Sequence, residues 1–371
     1  MDTIYSVANS AEIPSPALVL FRDLIERNLA EMIRIAGSAE RLRPHCKTHK
    51  MPALTRRELE LGIERHKCAT IAEAEMLAQA GAQDIFLAYN IVGPNVARVI
   101  ALLQKYPQVR LAVTADHADP VRSLGVAAAA AGKEIEVVLD IDTGLGRTGV
   151  ESSEAAIALY QQIAATPGLQ PGGLHLYDGQ NHQTDLEERR AAVMKVWEKG
   201  RLLRDQLRGM GLAVPRIIAG GTGSFPIYAA IQDPALELSP GTVVLHDAGY
   251  RRMFPDLHFT PAALILTRVI SLPGKNRVTC DLGYKACASD PPAGQRLQFP
   301  DLPDAKEVLQ NEEHLVLETS AAAKLKPGDE LWAIPRHVCP TTALHREAFI
   351  VSEGRVVDRW PIVGRDRILT V

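Results

Sequence analysis

Apolar and polar positions along the chain follow two different rhythms. From about residue 22 to about residue 245, short β-type runs end in glycine or polar residues, and each is followed by an amphipathic stretch of helical period. The runs are 41–46 (RLRPHC), 65–70 (RHKCAT), 84–89 (DIFLAY), 109–114 (VRLAVT), 135–142 (IEVVLDID), 172–178 (GGLHLYD) and 216–221 (RIIAGG), with a less regular eighth at 236–241 (LELSPG). Helices are predicted at 23–37, 71–81, 96–105, 118–131, 154–165, 186–208 and 224–231. Repeated βα units predict a parallel α/β fold. An eight-unit barrel needs about 200–250 residues, which suits the length available. The expectation is therefore a (β/α)8 barrel of the TIM type over residues 22–245. A doubly wound open sheet is the rival, but no G-x-G-x-x-G opens the first βα unit.

Beyond residue 245 the rhythm changes. Segments 262–272, 277–284, 330–335, 347–363 and 367–371 are β-type and separated by Gly, Pro and charged turns, with 352–355 (SEGR) reading as a hairpin turn. This predicts a second, mainly antiparallel β-domain at 246–371, joined by the early strand-like run 17–21 (ALVLF) within residues 14–21.

The chain has 371 residues and is 46% hydrophobic, enough for two substantial cores. A net charge of −3 with no basic stripe argues against nucleic acid and anionic membrane surfaces as partners. No run of about 18 uncharged apolar residues is present, and the N-terminal residues lack the charged start and apolar stretch of a signal peptide. A soluble cytoplasmic protein is expected. Five cysteines, an odd number in such a chain, argue against a disulfide framework. Most read as buried small hydrophobes.

Five motifs carry candidate chemistry. The first, RPHCKTHK (43–50), starts as a strand and ends in His45, Lys47, His49 and Lys50. Strand C-termini form the active-site mouth of a βα barrel. A lysine packed there among cations and apolar strands has a depressed amine pKa and can form a Schiff base with an aldehyde. A solvated basic loop is the alternative. The second, IIAGGTGSF (217–225), runs from a strand through Gly220, Gly221, Thr222, Gly223 and Ser224 into a helix. Backbone N–H groups in such a loop can approach a phosphate; a glycine turn with a serine N-cap is the alternative. In the third, IPRHVCPT (334–341), His337 and Cys339 are two apart after a β-type run, so continued extension would point both to one face. Such a pair can ligate a divalent ion. Thiolate favours zinc, with manganese or cobalt also admissible; a strand with a buried Cys and an incidental His is the alternative. The fourth, DIDTGLGRTGV (140–150), sets Arg147 in a glycine loop, either facing a cofactor or clamping the loop. The fifth, HLYDGQNHQ (175–183), supplies Tyr177 and His182 beyond a strand, with His182 a candidate general base or simply polar lining.

Taken in order, these motifs resemble the D-threonine aldolase and D-serine dehydratase family, alanine-racemase-like pyridoxal-phosphate enzymes of fold type III. The resemblance runs from PSPALVL (14–20) through CATIAEAEMLAQAGAQDI (68–85) and SPGTVVLHDAGY (239–250) to VVDRWPIVGRDR (356–367). It implies Lys47 as the Schiff-base lysine and residues 220–224 as the phosphate loop. It also implies Arg147 near the cofactor ring, with His45 and Tyr177 among the cofactor contacts, and His337 and Cys339 as ligands of a metal near the substrate β-hydroxyl. Homodimers acting on D-β-hydroxy amino acids are implied as well.

Two outcomes then compete. Removing the β-hydroxyl proton breaks Cα–Cβ and releases an aldehyde; removing the Cα proton leads to dehydration. The GGTGS loop and the ERRAA tract (188–192) resemble the aldolases, whereas His-x-Cys resembles the dehydratases, since aldolases usually carry His-x-Asp. The expectation is aldolase, with D-serine or 3-hydroxy-D-aspartate dehydratase as the alternative. A racemase using Tyr284, or a non-catalytic cofactor-binding protein, fits less of the chain.

Overall fold

The computed structural model describes residues 3–151 and 154–371. Its strands are β1 (Ala17–Phe21), β2 (Arg65–Cys68), β3 (Asp84–Asn90), β4 (Arg110–Ala115), β5 (Ile135–Ile141), β6 (Leu169–Leu176), β7 (Ile217–Ala219), β8 (Leu236–Leu238), β9 (Ala263–Ser271), β10 (Arg277–Cys280), β11 (Leu297–Gln298), β12 (Lys306–Gln310), β13 (Leu315–Glu318), β14 (Glu330–Pro335), β15 (Glu347–Ser352) and β16 (Arg355–Pro361). Two compact units result. One holds Ile33–Lys47, Pro52–Gly241 and Asp366–Val371; the other holds the described residues up to Met32, Thr48–Met51 and Thr242–Arg365.

In the first unit β2 to β8 form one parallel sheet in chain order, with a helix returning the chain after each of β2 to β7. The anticipated first strand, 41–46, is not a regular strand. Its start is a turn of 3-10 helix (Ala39–Arg41), and only isolated bridges follow, Leu42 to Leu238 and His45 to Lys67. Pro44 has no N–H to give a ladder. Even so, the segment bonds both sheet edges. Arg43 and His45 donate backbone hydrogens to Leu238 and Pro240, and Cys46 to Lys67, so the seven strands curl into a ring. Arg43 is fully buried and anchors this irregular stretch, with Nε 2.5 Å from Glu237 and Nη1 2.7 Å from Asp84. Phe86, Ala112, Val138 and Ile218 fill part of the interior. Helix Pro52–Glu60 was not expected from the periodicity.

The second unit is a mostly antiparallel sheet in the order β12-β13-β10-β9-β1-β15-β16, with β14 pairing β9 and β11. β1 pairs β9 antiparallel and β15 parallel. The 352–355 turn has positive φ at Glu353 (51°) and Gly354 (71°), as a two-residue hairpin turn requires. Residues 367–371 form no strand, contrary to their apolar pattern. Within the first unit the Thr370 N–H bonds Glu75, and Arg98 bonds the Val371 carbonyl oxygen. All five cysteines are free. Among the described residues no helix is long and apolar enough to cross a membrane.

Candidate active site

Where the sheet's C-terminal ends converge, the first unit encloses a cavity of about 560 Å³ whose lining includes His45, Lys47, Lys67, Asp140, Arg147, His175 and Tyr177. The Lys47 backbone N–H donates to His45 Nδ1 at 3.2 Å, which holds the His45 ring against the chain at the end of the irregular segment. Three cations surround the Tyr177 ring: Lys47 Nζ at 5.9 Å, Lys67 Nζ at 5.7 Å and Arg147 Cζ at 4.9 Å from its centroid. Asp140 is the one acid among the lining residues. Such a surplus of positive charge favours an anionic ligand. The Arg147 loop folds back on β5, since the Val150 N–H donates to the Asp140 carbonyl and the Val150 carbonyl accepts from the Asp142 N–H. Gly149 (φ 98°) permits this, because a Cβ there would come within 2.5 Å of the Asp142 nitrogen.

Sequence reasoning missed Lys67. It is 3% exposed, at the end of β2, with Nζ 2.8 Å from His175 Nε2. His175 Nδ1 lies in turn 2.6 Å from Asp140 Oδ1. Burial, then the charge of Lys47, brings the Lys67 amine down to about 7, with Asp140 opposing the fall. Burial and the charge of Lys67 also lower His175, leaving it a neutral imidazole. Burial pushes Asp140 upward, but its contact with His175, the hydrogen bond from Thr148 and the charge of Lys67 together hold it below the usual carboxylate range. The available signal was a lysine on the inward face of a strand, two residues before small Ala69, which also lines the cavity.

The glycine loop bears on the same tyrosine. Gly220 has φ 88°, and a Cβ on Gly221 would stand 3.3 Å from Tyr177 Cε2. Thr222 and Ser224 are buried. Ser224 does not cap the following helix, Phe225–Ala229, with its side chain. Its hydroxyl instead accepts from Gly221 N–H (3.0 Å) and donates to buried Asp178 (2.7 Å), which rigidifies the loop from within. The Gly221 N–H is therefore engaged inside the loop.

His337 and Cys339 belong to the second unit, and their geometry differs from the extended run expected. β14 stops at Pro335, His337 is the extended N-cap residue (φ −133°), and Cys339 lies in the first turn of helix Val338–Leu344. Pro340 is compatible with a first turn and cannot continue a ladder. The two side chains still meet. Burial opposes the charged imidazole, but the hydrogen bond and charge of Cys339, then those of Asp290, hold His337 up at about 9. His337 Nδ1 lies 2.5 Å from Asp290 Oδ2, and Cys339 Sγ lies 3.2 Å from the hydroxyl of Thr48, the residue after Lys47.

His182 is exposed, in the loop between β6 and helix Leu186–Gly209, and does not line the Lys47 cavity. His45, Cys46 and Glu73 have ligand-type atoms within 4.8 Å of one another. Glu73 already accepts from the Ala69 N–H at 2.6 Å, and its own N–H bonds the N-cap Thr70, so the cluster reads as helix anchoring.

Comparison with known proteins fits this arrangement. The model of the alanine racemase N-terminal domain matches residues 22–245, and that of the putative serine dehydratase domain matches 262–351. D-threonine aldolase of Arthrobacter is 33% identical over 360 residues, covering 96% of this chain and 93% of that protein. The chain belongs to the D-threonine aldolase and D-serine dehydratase family. A second family member, 3-hydroxy-D-aspartate aldolase of Paracoccus denitrificans, is 29% identical over 97% of this chain and 94% of its own. The crystal structure of D-threonine aldolase from Filomicrobium marinum superposes with a TM-score of 0.89 at 31% identity, covering 97% of this chain and 98% of that one. As a member of this family of pyridoxal-phosphate lyases, the chain is an enzyme.

The residues present fit the family's cofactor. An amine stands on the wall of a cation-rich cavity, and at Gly221 a side chain would crowd the tyrosine. An imidazole and a thiol side by side, with the imidazole held by a carboxylate, also suit a divalent ion of borderline softness.

Proposed function

We propose that this enzyme is a pyridoxal-phosphate- and divalent-metal-dependent lyase that cleaves D-β-hydroxy amino acids, D-threonine among them, to glycine and an aldehyde. The observation that carries the reading is the convergence of Lys47, Lys67 and Arg147 on Tyr177, in a chain whose full-length curated relatives are aldolases.

Lys47 would hold the cofactor covalently through Nζ. His45, Tyr177 and Arg147 would wall its ring, and Gly220, Gly221, Thr222, Gly223 and Ser224 its phosphate. When bound, the cofactor withdraws electrons from the substrate Cα, and the protein decides which Cα bond breaks. His337 and Cys339 would hold the ion, zinc being favoured by the thiolate, and it would supply acidification and orientation of a β-hydroxyl. Asp290 fixes the His337 ring by its bond to Nδ1 and leaves Nε2 for ligation. His182 is assigned as the base that receives the hydroxyl proton. The family resemblance supports a cytoplasmic homodimer.

Dehydration is the second reading, favoured by the cysteine at 339. Purified enzyme given D-threonine and D-serine, with and without chelator, separates the two. Acetaldehyde from D-threonine, lost on chelation, is the expected result. Pyruvate from D-serine without acetaldehyde would make it a dehydratase.

A further inference from the structure

We infer that Lys67 is a second functional lysine of this cavity: held by His175 and Asp140, it takes up a proton when an anionic ring fills the space. The inference rests on the cofactor reading above. An ionised carboxylate only accepts, so His175 Nδ1 carries a hydrogen toward Asp140 at 2.6 Å. Nε2 is then an acceptor, and Lys67 donates to it at 2.8 Å. One amine hydrogen is thereby directed at His175, while the rest of the amine faces the rings of Phe86 (5.8 Å) and Tyr177 (5.7 Å) and the cavity.

The charged and polar groups acting on Lys67 come from several neighbouring elements, and β3 brings the uncharged ring of Phe86. Segment 42–47 brings Arg43 and Lys47, β5 brings Asp140, the loop after it Arg147, and β6 with its loop brings His175 and Tyr177. Three cations thus oppose one carboxylate. A direct contact with Asp140 would keep the amine charged. The interposed neutral imidazole supplies a hydrogen-bond acceptor without a countercharge, so the amine stays able to switch near neutral pH. An anionic ring in the cavity reverses the charge balance and draws a proton onto Nζ. By linkage, anion affinity then weakens as pH rises past about 7.

The test uses deoxypyridoxine phosphate, which has the cofactor's ring and phosphate but no aldehyde, so condensation at Lys47 does not enter the count. Calorimetric titration of cofactor-stripped enzyme, in buffers of different ionisation heat above pH 7, counts protons taken up per site. Wild type should take up more than Lys67→Arg and Lys67→Met, by a difference approaching about one proton. Lys67→Arg should keep affinity within several-fold while losing the pH dependence; a purely structural lysine would not separate these. Equal counts in wild type and Lys67→Arg, with binding intact, overturn the role of Lys67 alone. If wild type binds neither pyridoxal phosphate nor the analogue, the cofactor reading falls, and this inference with it.

Discussion

The Thr48 hydroxyl lies 3.2 Å from Cys339 Sγ, and the Thr242 hydroxyl stands 3.5 Å from the same sulfur. Hydroxyl donors stabilise a thiolate, and the thiolate is the ligating form. Thr48→Val should therefore weaken divalent-metal affinity by about 10–100-fold, as supporting contacts to metal ligands usually do. Competition with a chromogenic chelator measures this; unchanged zinc affinity would mean that the Thr48 hydroxyl does not support the metal ligand. Cys339→Asp, a harder ligand, should move preference from zinc toward manganese or magnesium.

Lys47 should carry the cofactor covalently. Borohydride treatment of the holoenzyme should fix the adduct on the peptide containing Lys47, and Lys47→Ala should leave nothing to fix. A reduced adduct on the Lys67 peptide of that variant would transfer the attachment to the second amine.

Gly221→Val places side-chain carbons against Tyr177, where even a Cβ would sit at 3.3 Å. Cofactor affinity should fall by about tenfold or more, equivalent to roughly 1.4 kcal/mol, with the fold intact by circular dichroism. The open glycine at 209, where a Cβ would meet nothing within 4 Å, is the control. Equal affinities in the two variants would separate the loop from cofactor binding.

Lys67 should also make the stability of the cofactor-free protein depend on pH. Its folded pKa of about 7 lies below the ordinary 10.5, so between these values the unfolded chain binds more protons than the folded one. Stability from this group therefore rises with pH across that window, and its penalty is fully present below pH 7. In Lys67→Met the rise should disappear. Removing the donor to His175 adds an offset that changes little with pH, so the slope of Tm against pH, measured by calorimetry, is the decisive quantity. Parallel slopes for the two proteins would mean that the buried amine is not depressed.

His182→Ala tests the base assignment. A general base contributes about 10²–10⁴ in rate, so aldehyde release should fall by that amount, chiefly in kcat. Because His182 is exposed and outside the Lys47 cavity, full activity in this variant would place the base elsewhere.

From β2 to β8 the order of strands and helices was legible from hydrophobic period alone, because each βα unit must bury one face; helix Pro52–Glu60 was not. The hairpin at 352–355 and the antiparallel texture beyond 245 were legible as well. Family membership was legible too, through motifs in fixed order. Local pattern failed where distant partners override it. The run 41–46 looks like a strand, but Pro44 breaks its ladder, and its shape is set by β8 and β2 on either side. The run 367–371 looks like a strand, but Glu75 and Arg98 claim its backbone. His337 and Cys339 meet across a helix start, not along a strand. Only the tertiary structure could reveal the Lys67–His175–Asp140 chain. Its members lie 108 and 35 residues apart in sequence, and what makes Lys67 unusual is burial among other cations. Burial and charge proximity are properties of the packed chain, so they decide an amine's protonation without leaving a linear signature.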